Sequence, residues 1–277
     1  MNCVICNSRM AYYFSKDFDT FGLTKVNYYR CSNCGFTMSK THADMSASEW
    51  ATLNHEYHST YQGKKFDLND PRWIPRLQSQ AMVLNNAARI GLLNGDGRWL
   101  DYGCGDGKLS ELLQNEGRKL LKYDRYMSRQ EDYLNDDEII QGSFDFVITT
   151  SVFEHFILRE QFNAVEALVS DNGVLGLHTL VCESIPCDAS WFYLLPLHCS
   201  FHTNKSMSLL FEQWGYASSV YNVDSRLWLW FKKDVDRIEK IIRDSNAKPE
   251  REKLYYHFKK GFMDYWRVDN ESILHKE

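Results

Sequence analysis

The stretch Arg98-Trp99-Leu100-Asp101-Tyr102-Gly103-Cys104-Gly105-Asp106-Gly107-Lys108-Leu109 constrains the fold more than any other. It reads as a short β-strand, a glycine-rich turn and the start of a helix that continues through Ser110-Glu111-Leu112-Leu113-Gln114-Asn115. A turn of this kind after a parallel strand needs glycine for positive φ and for close approach of backbone to a ligand. The glycines fall at 103, 105 and 107, with Lys108 where a dinucleotide loop of the Gly-x-Gly-x-x-Gly type would place its last glycine. Asp101 adds a negative charge where a pyrophosphate would lie. The loop suits a cationic ligand better than a phosphate.

The chain beyond the loop extends the pattern. Leu120-Leu121-Lys122-Tyr123 is an apolar run ending at Asp124, seventeen residues after Gly107. An acidic group at the end of a second strand can accept hydrogen bonds from ribose hydroxyls, as in related nucleotide folds; a solvated strand-end aspartate is the alternative. Ser143 to Thr150 has the composition of a buried strand and runs into Ser151-Val152-Phe153-Glu154-His155-Phe156. A helix over 161–169, a turn at Asp171-Asn172-Gly173 and a strand over 173–181 follow. A helix over 204–214 then closes at Gly215, and strands over 216–223 and 227–231 lie close enough for a hairpin. The chain between Asp124 and Phe144 is short for a full helix and strand, so this crossover is abbreviated.

Asp101-x-Gly103-x-Gly105-x-Gly107, with Asp124 and the Glu154-His155 pair after the fourth strand, resembles the class I S-adenosylmethionine-dependent methyltransferases. The match covers roughly residues 80–233. The resemblance implies an α/β, Rossmann-like seven-stranded sheet in the order 3-2-1-4-5-7-6 by position along the domain. It implies a loop of Gly103, Gly105 and Gly107 wrapping the methionine and ribose parts of the cofactor, with Asp101 helping to place its amino-acid end. Asp124 becomes the ribose ligand, and Asp132 and Tyr133 become candidates for the adenine position.

Cys3, Cys6, Cys31 and Cys34 form two Cys-x-x-Cys pairs, and Cys104, Cys182, Cys187 and Cys199 are scattered. Paired spacing favours tetrahedral zinc over disulfides in a reducing compartment. With strands over 12–14 and 26–30 between the pairs, residues 1–45 read as a zinc ribbon. Four cysteines leave no open coordination position, so the zinc is expected to be structural. Zinc-ribbon methyltransferases of sugars and other small metabolites share this order of parts, which implies that Tyr57 and Tyr61 approach the cofactor's carboxylate; ordinary packing is the alternative. Residues 46–93 are expected to hold two linking helices, one starting at Ser46-Ala47-Ser48-Glu49 and one from Pro71 to Leu93. Residues 94–233 form the cofactor domain, and 234–277 a helical extension with helices over 235–242 and 251–266. The large C-terminal domain of the sugar C-methyltransferases is lacking, which weakens transfer of their substrate.

The composition is that of a globular chain: of 277 residues 44% are hydrophobic and 25% charged, and the Gly 15 and Pro 5 exclude collagen-like or low-complexity protein. The net charge is −5 and is concentrated in 66–231, which carries −9 while each flank carries +2. Nucleic acid is therefore not the expected partner. The longest charge-free stretch near the middle, 189–204, is too short for a membrane span, and Met1-Asn2-Cys3 does not open a secretory signal. These points lead to the expectation of a cytoplasmic protein without a membrane partner; its oligomeric state is not set.

For chemistry, His155 is the expected general base, because imidazole suits proton removal near neutral pH, with Glu154 orienting it or binding substrate. Helix capping by the same pair is the alternative. His178, His198 and His202, in a segment rich in Trp191 and Tyr193, are candidate acceptor contacts that suit a polar ring such as a sugar; structural histidines and a metal site are the alternatives. The leading reading is a methyltransferase acting on a small molecule or saccharide. An RNA methyltransferase using its ribbon as a reader, and a non-catalytic scaffold, are the rivals.

Overall fold

The computed structural model describes residues 1–60, 73–126, 132–248 and 254–264. The expected helix start at Pro71 and the candidate Tyr61 lie outside these residues.

Two sheets organise the described residues. The larger carries the strands β4 (Trp99–Tyr102), β5 (Leu121–Tyr123), β6 (Phe144–Thr150), β7 (Val169–His178), β10 (Ser218–Asn222), β11 (Leu227–Phe231) and β12 (His257–Lys260), in the order β12-β10-β11-β7-β6-β4-β5. The β5-β4-β6-β7 block is parallel, and β11, β10 and β12 run antiparallel to their neighbours. Alternate side chains of its strands enter two cores. Leu100, Val147, Leu175 and Trp230 join one, and Trp99, Phe146, Ile148 and Leu229 join the other. The second core is closed by α3 (Trp73–Arg89), α4 (Lys108–Asn115) and α7 (Val235–Asn246) through Leu84, Leu113 and Ile242. On the opposite face, α5 (Arg159–Glu166) and α6 (Asn204–Gln213) contribute Phe162, Val165 and Leu210.

The seven strands are not quite the seven expected. Among the described residues, the domain's third strand is represented by one parallel bridge, Lys122 to Tyr133. The seventh member is β12, which pairs with β10 at the far edge. Residues 257–260 are therefore strand, where the sequence predicts a helix over 251–266. Their side chains His257, Phe258, Lys259 and Lys260 give a β-edge with lysines toward solvent. Asp171-Asn172-Gly173 is also not a separating turn. It is a bulge within β7, where pairing shifts between Phe144 with Val169 and Phe146 with Val174.

The smaller sheet has the order β1-β2-β3-β9-β8, built from β1 (Met10–Asp17), β2 (Lys25–Cys31), β3 (Thr37–Ser39), β8 (Val181–Cys182) and β9 (Ser200–Thr203). The ribbon sheet thus takes its last two strands from the segment after β7. Side chains fasten the join: Thr203 Oγ1 donates to Cys34 O, Tyr13 Oη to Ile185 O at 2.8 Å and Lys16 Nζ to Leu194 O at 2.8 Å. The connecting helix α2 (Ala47–Ser59) starts in the expected capping box of Ser46 and Glu49. Among the described residues no helix is long and apolar enough to cross a membrane.

Candidate active site

A cavity of about 1110 Å³ opens outside the C-terminal ends of the parallel strands, where open α/β sheets place their ligands. Each strand end supplies part of its wall: Asp101 to Asp106 from the end of β4, Tyr123 to Tyr126 from the end of β5, Thr150 to Val152 with Glu154 and His155 from the end of β6, and His178 to Val181 from the end of β7.

The glycine loop is held by backbone contacts and by side chains. Gly103 N and Cys104 N donate to Tyr123 O at 2.8 and 3.1 Å, and Gly105 N donates to Asp124 Oδ2 at 2.9 Å. Gly103 has φ 74°, and a Cβ there would meet Val152 Cγ2 at 2.6 Å. Gly105, at φ 57°, faces open space, so a ligand can lie against its backbone. Gly107 is the N-cap of α4, and its side faces Lys122 rather than the cavity. Asp124, 7% exposed, also accepts from Tyr126 N at 2.8 Å through Oδ1.

Asp101 is 1% exposed, and its Oδ1 has no hydrogen-bond partner. Burial first, then the charges of Asp124 and Asp106, raise its acid to about 8. A buried carboxylate oxygen without a donor is costly, and a cationic or N–H-bearing ligand would relieve that cost. The residues present therefore fit the expected sulfonium cofactor with its ammonium group.

The adenine candidates are placed differently from expectation. Asp132 is exposed and ion-pairs with Lys122, away from the cavity wall. Tyr133 is buried and its Oη donates to Gly105 O at 2.9 Å, so it braces the loop from behind.

On the acceptor side, Glu154 is fully buried. Its Oε1 accepts from Tyr193 Oη at 2.6 Å and its Oε2 from Thr179 Oγ1 at 2.9 Å. Despite burial, the neighbouring His198 and His155 and the Tyr193 hydroxyl keep its acid below the usual range. His155 donates from Nδ1 to Leu197 O at 3.0 Å. Burial, with His198 next, lowers its pKa to about 4. The ring of His198 stands 5.2 Å from that of His155. His178 donates from Nδ1 to Arg226 O at 2.9 Å and meets Arg76 Nη1 at 3.0 Å through Nε2. Its pKa falls to about 3 through burial and then Arg76, which leaves a neutral ring accepting from the guanidinium.

Tyr57 lines the cavity from α2, its ring 5.4 Å from that of Phe21. His202 does not reach the cavity. It lies in β9, 0% exposed, among the rings of Phe36, Phe153 and Phe162, because its strand is drawn into the ribbon sheet. Thr179, Arg76 and the role of Tyr193 were not foreseen. Thr179 follows the end of β7, a position the strand-end rule could have flagged; Arg76 carries no local signal.

A family model described as a methyltransferase domain matches residues 77–218, just over half of the chain. The chain belongs to the S-adenosylmethionine-dependent methyltransferases. Among solved structures, this methyltransferase is similar to the 1,6-didemethyltoxoflavin N1-methyltransferase of Burkholderia thailandensis at 14% identity, covering 72% of this chain and 95% of that one with a TM-score of 0.45. It is similar to the magnesium protoporphyrin IX methyltransferase of Synechocystis PCC 6803 at 14% identity, covering 66% and 97% with a TM-score of 0.47. A possible histamine N-methyltransferase of Thermotoga maritima matches at 16% identity, covering 57% and 92% with a TM-score of 0.34. No curated protein matches the methyltransferase.

Proposed function

We propose that this methyltransferase transfers a methyl group from S-adenosylmethionine to a small polar acceptor of saccharide size. The observation that carries the reading is the unpartnered Asp101 carboxylate beside the open face of Gly105, with a polar, histidine-lined wall in the same cavity. When bound, the cofactor supplies an electrophilic methyl group on a cationic sulfur. Asp101 takes its ammonium end, Gly103 and Gly105 border its methionine and ribose, and Asp124 accepts from the ribose hydroxyls. Tyr57 closes that side from α2. Across the cavity, Glu154, His155 and His198 receive and activate the acceptor, and His178 with Arg76 contacts its polar rim. The aromatic neighbours Tyr193 and Trp228 suit a ring stacked between polar edges.

Cys3, Cys6, Cys31 and Cys34 are proposed to hold a structural zinc ion. Cys3 and Cys34 sulfurs are 3.7 Å apart, Cys6 and Cys31 3.4 Å, and Cys6 and Cys34 3.6 Å. A zinc tetrahedron with bonds of about 2.3 Å has edges of about 3.8 Å, so the thiols are close to that arrangement.

Calorimetry tests the cofactor reading. Asp101→Asn and Asp124→Ala should each weaken S-adenosylmethionine binding at least about tenfold, or 1.4 kcal/mol, with thermal unfolding still cooperative. Wild-type affinity in both variants would remove the site.

A further inference from the structure

The acceptor wall gathers more ligand atoms than a proton transfer requires. One donor atom from each of Glu154, His155 and His198 lies within 4.8 Å of the other two. The backbone decides which ring nitrogens carry the protons. Leu197 O and Tyr193 O only accept, so the Nδ1 atoms of His155 and His198, at 3.0 and 2.8 Å from them, carry the protons. Nε2 of each neutral ring then keeps its lone pair. Metal-ligating histidines are held in this way, with the second ring nitrogen bonded to a carbonyl or carboxylate. Glu154 is equally fixed by the Tyr193 and Thr179 hydroxyls, and each of its oxygens retains a further lone pair. A general base needs one imidazole lone pair and one group to orient it. A second imidazole locked in the same tautomer beside the first is surplus to that chemistry and is what a cation needs.

We propose that Glu154, His155 and His198 bind a divalent first-row transition-metal ion at the acceptor side of the cavity. Two imidazole nitrogens and one carboxylate oxygen match borderline ions such as zinc. Three protein ligands leave coordination positions, and all three residues line the cavity, so those positions face the acceptor space and an entry path exists. Coordination would bring the three donor atoms to about 3.4 Å from one another. For its purpose the inference rests on the methyltransferase reading: the ion would hold and polarise the acceptor's oxygen or nitrogen, making His155 a ligand in place of a direct base.

The test is metal stoichiometry on the full chain. Protein stripped of metal, reloaded with Zn²⁺ and dialysed is analysed by mass spectrometry for wild type, His198→Ala and Glu154→Gln. Each variant should hold one equivalent fewer than wild type while S-adenosylmethionine affinity is unchanged. Loading with Co²⁺ gives a second reading that needs no variant: the wild type should show absorption of a nitrogen- and oxygen-ligated ion in addition to any thiolate charge-transfer bands. Equal zinc content in folded variants and wild type overturns the proposal, as does a wild-type cobalt spectrum with thiolate features alone. Failure of the wild type to bind S-adenosylmethionine would instead strike the methyltransferase reading, while the metal count still decides the site.

Discussion

Asp101 is held at the end of β4 with its acid raised to about 8 by burial and by Asp124 and Asp106. In the free protein it is therefore protonated at neutral pH. A cationic ligand favours the carboxylate, so binding releases that proton, and affinity climbs as pH rises toward about 8 and levels above it. Well below that point the slope approaches about tenfold per pH unit, since one unit of pKa is worth about 1.4 kcal/mol. Calorimetry between pH 6 and 9, alongside Asp101→Asn, checks this: the variant should bind weakly with a flat profile from this group, and an equal slope in both proteins would assign the proton elsewhere. The sequence disclosed Asp101 and Asp124 because each has a fixed offset from the glycines. It did not disclose that Tyr193 and Thr179 clamp Glu154, since those contacts span 39 and 25 positions and no local pattern records them. His202 misled for the same reason: a histidine-rich stretch looks like one surface until its strand pairing is known.

Periodicity made most elements readable, from β4 and α4 to the β10–β11 hairpin, because buried parallel strands and amphipathic helices leave strong patterns. The extension after α7 was harder, since a short edge strand of polar residues has no such signature. Its stabilising contact comes from Tyr256, 1% exposed, whose hydroxyl donates to Asn86 Oδ1 at 2.8 Å and whose backbone bonds Asn246. Tyr256→Ala should cost about 3 kcal/mol, the range for deleting a buried aromatic side chain, and should loosen β12 along the edge of β10. Urea unfolding followed by tryptophan fluorescence measures it, with Trp228 reporting because its Nε1 donates to Met263 O at 2.9 Å. A change below about 0.5 kcal/mol, the level of a typical surface substitution, would mean the extension contributes little.

At the scale of the whole molecule, the sequence reading separates residues 1–45 from residues 94–233, whereas one sheet draws strands from both. β8 and β9 pair into the ribbon sheet, and Ser39 N donates to Cys199 O at 2.7 Å. Zinc removal is therefore predicted to loosen more than residues 1–45. Hydrogen exchange after chelation should accelerate through 181–203 as well as through the ribbon, because metal binding contributes directly to the folding of such modules. Exchange confined to the first forty-five residues would show that the two halves are energetically separate.

Strand sharing also fixes how such a chain can be altered. A cut before residue 46 would leave β9 with a bare edge where β3 had been, inviting another chain to dock there. The cysteine-bearing head shares a sheet with the two strands that flank the cavity residues Tyr193 and His198, so it cannot be shuffled away or exchanged like a bead on a string.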